Sequence, residues 1–264
     1  MTTRASDSYM LKLIINADDF GFSTEVNRAI LDAFGQGLCS STTMMPNMGG
    51  FEEACELVHE NNLAGSVGLH LNLGEGFPLV SAMKRQHAFC DAEGRFRLNS
   101  TCFPLYLSLE QRRILAEEIR AQIRRCRQRG IPITHLDSHR HIHTRWAILS
   151  VLLPVSSEEH IRYIRLPRNC GKGIGLVRRT YKTWISKWIT AAKMRGTNYF
   201  GSVEDYMFLK HAGARGVMEL MVHPRYGASG LLCDHPRPQA LVEEMKNVTS
   251  YDSALSFADV VCPV

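Results

Sequence analysis

Val67-Gly-Leu-His-Leu-Asn-Leu73 alternates without exception: the odd positions are apolar and the even ones are Gly, His or Asn. A period of two belongs to an extended strand whose faces meet different surroundings. In a ring of parallel strands one face packs on outer helices and the other looks into the lumen, so His70 and Asn72 are expected to point inward. Leu11–Ile15, Leu38–Met45, Ile161–Leu166 and Val217–Val222 are further apolar runs suited to buried strands.

Helical stripes separate these runs. Ser23 is placed to cap a helix whose inner face is Val26, Ala29, Ile30, Ala33 and Phe34, ended by Gly35 and Gly37. Phe51, Ala54, Cys55 and Val58 form a second stripe. Ser108 and Gln111 have capping-box spacing ahead of Leu115, Ala116, Ile119, Ile123 and Cys126, with Gly130 and Pro132 after them. Arg145–Leu153 reads as a helix stopped by Pro154, and Gln239–Met245 as a last one. Strand and helix alternation implies parallel strands with helical crossovers, either a barrel or a doubly wound sheet. Polar residues at four strand ends, Asp18 with Asp19, His70, His139 and His223, converge most easily in a ring. The expected fold is therefore an α/β, single-domain (β/α) barrel, TIM-like, either regular or irregular and seven-stranded, with its site at the C-terminal ends of the strands.

With 264 residues, 45% of them hydrophobic, residues 1–264 can bury one large core. Residues 1–9 are expected to be flexible and 74–107, rich in Gly and Pro without a clear period, to form an excursion over the barrel mouth. No run approaches a membrane span and the first nine residues are polar, which points to the cytoplasm. Eight scattered cysteines with no Cys-x-x-Cys pair argue against a zinc knuckle and read as reduced thiols.

Ile133-Thr-His-Leu-Asp-Ser-His-Arg-His-Ile-His143 holds four of the chain's eleven histidines. On an extended strand His135, Asp137, His139, His141 and His143 share one face, where five polar side chains are costly unless paired or gathered near a divalent cation. The alternative is a solvated, His-rich loop. Two imidazoles and a carboxylate leave positions open for water and substrate, the form of a catalytic metal site. One aspartate of Asp18-Asp19 suits the ion and the other its water; the bland reading is a helix N-terminus favouring negative charge.

Asn16-Ala-Asp-Asp-Phe-Gly21, Ser41-Thr-Thr43 with Asn47, Gly68-Leu-His-Leu-Asn-Leu73, Thr134-His-Leu-Asp-Ser-His-Arg-His-Ile-His143 and Glu219-Leu-Met-Val-His-Pro224 resemble, in order, the motifs of the YdjC-like carbohydrate deacetylases, a family that includes chitooligosaccharide deacetylase. The resemblance implies a (β/α) barrel that removes acetyl groups from N-acetylated sugars with one divalent metal ion. By position it makes Asp19, His70 and His139 the metal ligands, Asp18 the base and His223 the acid. Mg²⁺ or Zn²⁺ is the expected ion, and the same ligands accept Mn²⁺, Co²⁺ or Ni²⁺. Asn47, Asn72, His141, His143, Arg165 and Glu219 are expected around the site, on substrate or behind the ligands. The chain departs from the family at Arg225 and Arg140, and both changes are expected to bear on substrate rather than on the metal. Two rivals stand beside this reading: a sugar-binding protein without activity on the same scaffold, and another metal-dependent amidohydrolase or phosphoesterase.

Between Glu159 and Glu204 lie ten Lys or Arg and no acid. The helix at 174–194 reads either as core packing or as a surface helix with Trp184 and Trp188 at a lipid interface, a peripheral membrane contact. The expected partners are an N-acetylated sugar, phosphorylated or lipid-linked forms included, and a second copy of the chain in a homodimer. No nucleic-acid motif accompanies the charge.

Overall fold

The computed structural model describes residues 11–99, 101–171, 175–236, 240–246, 248 and 254–261. The expectations for residues 1–9 and for Ile174 and Gln239 lie outside them. Six parallel strands form the central sheet in the order β4-β3-β2-β1-β6-β5: β1 (Leu11–Phe20), β2 (Ser41–Met44), β3 (Val67–Leu71), β4 (Leu136–Ser138), β5 (Tyr199–Gly201) and β6 (Gly216–Val222). Each crossover brings helix onto the sheet: α1 (Thr24–Gly35), α2 (Phe51–Glu60), α3 (Leu109–Gln128), α4 (Trp146–Glu158), α5 (Leu176–Ala191) and α6 (Val203–His211). A small antiparallel hairpin, β7 (Pro224–Tyr226) with β8 (Leu232–Asp234), follows β6. Short helices α7 (Leu241–Met245) and α8 (Phe257–Val261) come last.

The sheet is strongly curled. Flat, β4 and β6 would stand about 19 Å apart, four strand spacings. Yet the single guanidinium of Arg165 reaches Asp137 on β4, Asp18 on β1 and Glu219 on β6. Isolated parallel bridges, Leu136 with Ile164 and Tyr163 with Arg195, carry pairing past β4, so Ile161–Leu166, expected as a strand, pairs only at single residues. The architecture is an α/β fold on a curled half-barrel of six parallel strands.

Alternation along the strands divides two environments. Leu13, Ile15 and Ala17 of β1, Leu69 and Leu71 of β3, and Met218, Leu220 and Val222 of β6 pack outward with Val26, Ile30, Phe51 and Leu115 of the helices in the main core. The opposite parity carries Asn16, Asp18, His70, Asp137 and Glu219 inward, above a small plug of Ile14, Tyr163 and Phe257. Gly68 is part of this design: a Cβ there would stand 2.6 Å from both the ring and the carbonyl of His135, which lies on Phe257 with ring centroids 3.7 Å apart.

The local helix signals are realised at α1, where Ser23 Oγ accepts from Val26 N, and at α3, where Ser108 and Gln111 form the reciprocal cap. Two local expectations are overturned. Pro154 does not stop α4, which continues to Glu158. Proline deprives the carbonyl four residues back of its donor, and Arg112 Nη2 supplies one to Ser150 O at 3.3 Å, so the helix continues. The histidine run is not one strand either: β4 ends at Ser138, and His139–Thr144 forms a tight helical turn with Arg140 and His141 at φ 56° and 54°. Ser138 Oγ closes that turn by accepting from His143 N at 2.9 Å.

Candidate active site

Asp18 and Asp19 are neighbours on a strand and would ordinarily face opposite sides. An irregularity in the β1–β2 register between Ala17 and Phe20, with Asp19 at φ 71°, turns both carboxylates into the lumen. Asp19 Oδ1 then lies 3.2 Å from His70 Nε2 and 2.9 Å from His139 Nδ1. These three residues offer ligand atoms all within 4.8 Å of one another, as do Asp18, His70 and Asp137.

Each ring is oriented from behind. His70 Nδ1 is 2.6 Å from Asp137 Oδ1, its register neighbour on β4, and Thr43 Oγ1 sits 3.1 Å from the same nitrogen. His139 Nε2 is 3.2 Å from Glu75 Oε1, which also takes Arg140 Nη2 at 2.5 Å. Burial would make both imidazoles less basic, but Asp137 and Asp19 outweigh it for His70, pushing it to about 10, and Asp19 and Glu75 raise His139. Burial would raise the Asp19 carboxyl, and the two histidines hold it well below the usual range. Without a metal a proton on His70 ties Asp19 to Asp137, and Asp19 and Glu75 favour the protonated form of His139. A divalent cation supplies the same positive charge to the same atoms, and the carboxylate behind His70 is the support that a metal-bound imidazole ordinarily has, so the donor set fits such an ion.

Asp18 has a different setting. Arg165, fully buried, donates Nη1 to its Oδ2 at 2.6 Å and Nη2 to its Oδ1 at 2.7 Å, while Asn16 Nδ2 adds 2.8 Å to Oδ1. Burial would raise the Asp18 carboxyl; the guanidinium overrides this and holds it far down. Arg165 Nη1 also meets Asp137 Oδ2 at 2.6 Å and its Nε meets Glu219 Oε1 at 2.5 Å. One cation therefore faces three buried carboxylates. Glu219 absorbs the excess: burial pushes it up to about 7 against the pull of Arg165, and its Oε2 has no partner. His223 Nε2 stands 3.8 Å from Asp18 Oδ2, with Asp234 Oδ1 3.8 Å behind its Nδ1 and accepting its backbone N at 2.6 Å. Burial lowers His223, but Asp234 and Asp18 leave it raised overall.

The remaining expected residues separate into distinct places. Asn72 Oδ1 accepts from Gly74 N and Glu75 N, and its Nδ2 donates to Asn47 Oδ1 and Glu75 O, so Asn47 and Asn72 build the turn that presents Glu75 to His139. His141 and His143 do not share a face with His139: His143 is buried and His141 half-buried behind the turn, where desolvation lowers both, His141 to about 3. His143 bonds Ser138 Oγ at 2.6 Å and Arg165 O at 3.0 Å; His141 packs on Phe200. Arg225 and Arg140, expected to bear on substrate alone, touch the ligand residues: Arg225 Nη2 is 2.9 Å from Asp19 Oδ2, and Arg140 Nε is 3.3 Å from His139 Nε2. Glu75, Asp137 and Asp234 were not singled out as site residues. Asp137 shares the parity of the histidines and was legible on that ground, whereas Glu75 and Asp234 arrive from a loop and a hairpin without a periodic signal.

A carboxylate and two imidazoles gathered over the C-terminal ends of parallel strands, beside an Arg-held aspartate and a histidine, define an α/β protein with a cluster that could hold a metal ion. The YdjC-like protein family model matches residues 12–254. The chain belongs to that family. It is 31% identical over 244 residues to a carbohydrate deacetylase of Brevibacillus brevis, covering 91% of this chain and 92% of the relative. It is 34% identical over 223 residues to a carbohydrate deacetylase of Halalkalibacterium halodurans, covering 82% and 86%. The fold resembles a crystal structure of a "putative cellobiose-phosphate cleavage protein" from Enterococcus faecalis, with a TM-score of 0.71 at 22% identity over 96% of this chain and 99% of that one.

Proposed function

We propose that this chain is a metal-dependent hydrolase that removes the acetyl group from an N-acetylated amino sugar. The observation that carries the reading is the convergence of Asp19, His70 and His139 within ligand distance next to Asp18 and His223. The family membership and the relatives named carbohydrate deacetylase support it. In it, Asp19, His70 and His139 hold one divalent ion, and the bridges beyond β4 belong to an irregular barrel wall around that ion.

The bound cation would polarise the acetyl carbonyl and acidify the attacking water, and an acidified water suits a base as weak as Asp18. Arg165 keeps Asp18 ionised and fixes the direction of both its oxygens. Asp18 takes the proton of the water as its oxygen bonds to the acetyl carbon. The C–N bond then breaks, and His223, whose protonated form Asp234 and Asp18 favour, delivers a proton to the departing amine, which leaves poorly as an anion. Acetate and a free amino sugar result. An unreactive sugar-binding protein would need neither the ionised base nor the raised histidine.

The test is acetate release from N-acetylated mono- and oligosaccharides, sugar phosphates and lipid-linked sugars, with chelator and with added divalent ions. Release from at least one member, stopped by chelator and restored by metal, is expected. Release that is indifferent to chelator would overturn the metal-dependent reading.

A further inference from the structure

Helix α5 leaves to solvent what helices of a curled sheet normally bury. Leu176 and Val177 are 80% and 83% exposed and Trp184 is 49% exposed, while the buried residues of the helix are Ile185 and Ile189. At 100° per residue Leu176, Thr180 and Trp184 stand on the outward side, opposite the two isoleucines, and Val177 lies beside Trp184. Tyr181 and Trp188 close the gap to the core, with the Trp184 and Trp188 ring centroids 5.4 Å apart. Exposed Arg179 and Lys187 stand at or beside this apolar strip, and α5 contains no acidic residue.

The strip belongs to the rim of the active site. Tyr181 Oη donates to Thr144 O at 3.0 Å and accepts from Trp146 N at 3.2 Å, and Thr144 ends the turn that His139 begins. Between Thr144 and Trp146, the Arg145 guanidinium lies 4.0 Å from the Phe103 ring. Two and three residues after Phe103, Leu105 and Tyr106 are 67% and 77% exposed.

Large aliphatic and indole groups pointing outward between arginines and lysines fit a surface that is apolar inside and negative outside. A phospholipid leaflet has that layering: indoles settle at the headgroup level and Lys and Arg meet the phosphates. A second copy of the chain suits it poorly, because an isologous contact through α5 would bring Arg179 and Lys187 of both copies together with no acidic residue on either helix. We infer that α5, with the Leu105–Tyr106 segment, docks the protein on an anionic phospholipid surface with the mouth of the site at the headgroups. Docking does not depend on the deacetylase reading.

Sedimentation with vesicles of phosphatidylglycerol and phosphatidylcholine tests it, with pure phosphatidylcholine as the control. The wild-type chain is expected to sediment with the anionic vesicles at low salt, to release at high salt, and to show a blue-shifted Trp184 emission that a Trp184→Phe variant lacks. Arg179→Gln with Lys187→Gln should weaken binding by about twenty-fivefold, from roughly fivefold per cation. Leu176→Ser, Val177→Ser and Trp184→Ser together should abolish it. Acetate release from a soluble acetylated sugar should survive in both variants, which shows that they fold and keeps this result separate from the catalytic one. No sedimentation at low salt, or sedimentation that the triple variant retains, overturns the proposal. So does a concentration-dependent dimer that the triple variant abolishes, since α5 would then be a protein interface.

Discussion

Replacing Arg165 by methionine removes the one cation among Asp18, Asp137 and Glu219 while keeping much of the side-chain volume. All four side chains are buried, so solvent cannot compensate. Breaking a buried pair by removing one partner costs about 3–5 kcal/mol, because the other charge is left uncompensated. For a chain of this size each kcal/mol corresponds to about 2–4 °C of melting temperature, so Arg165→Met should melt roughly 6–20 °C below wild type by calorimetry at neutral pH. Adding Asp18→Asn to that variant removes the carboxylate that Arg165 clasped through both oxygens and should recover more than about 1 kcal/mol, a non-additive result. The single Glu219→Gln change carries a pH signature. Burial raises this carboxyl to about 7, above its unfolded value, so between the two values the folded state binds more protons and stability falls as pH rises. The amide abolishes that loss, and the melting temperature of Glu219→Gln relative to wild type should climb from pH 5 to pH 8. An Arg165→Met protein melting with wild type, or strict additivity in the double variant, would refute the charge accounting.

Metal binding should strengthen steeply with pH. His70 is raised to about 10, so an ion that takes its Nε2 displaces a proton, and the upward shift of His139 acts in the same direction. Calorimetric titration should show affinity rising about ten- to a hundredfold per pH unit near neutrality, and a pH-independent affinity would refute the proton-held cluster. Asp234→Asn removes the carboxylate that raises His223, so the alkaline limb of the pH–rate profile should move to lower pH; an unmoved limb would separate His223 from the proton delivered to the amine. Gly68→Ala should cost about 1–3 kcal/mol, because the new Cβ meets a ring and a backbone carbonyl at 2.6 Å. Gly35→Ala, with nothing within 4 Å, should be neutral or stabilising by chemical denaturation.

Much of the fold was legible because burial imposes a period. The alternation at Val67–Leu73 named the inward face that carries His70, and the stripes at 26–34 and 51–58 named the helices that cover the outward one. The polar residues that gather in the lumen were legible for the same reason: they interrupt apolar runs at Asp18, His70 and His223. Where the backbone leaves its regular period the pattern misleads. One left-handed residue turns Asp19 to the side of Asp18, and two more fold His139–Thr144 into a turn, so a shared parity from His135 to His143 did not become a shared face. Interactions across many residues carry no periodic trace at all. Arg112 supporting the helix around Pro154, Glu75 reaching His139, and Arg165 joining three strands become visible only in three dimensions.

The most direct test of the account pairs two readings on Asp18→Asn: bound divalent metal per chain and acetate released from a sugar that the wild-type protein deacetylates. Asp18 faces Arg165 and His223, while the proposed ion sits on Asp19, His70 and His139, so the variant should keep the metal content of wild type and lose about a hundredfold or more of its rate. Acetate release at the wild-type rate from a metal-loaded Asp18→Asn protein would contradict the assignment of Asp18 as the base.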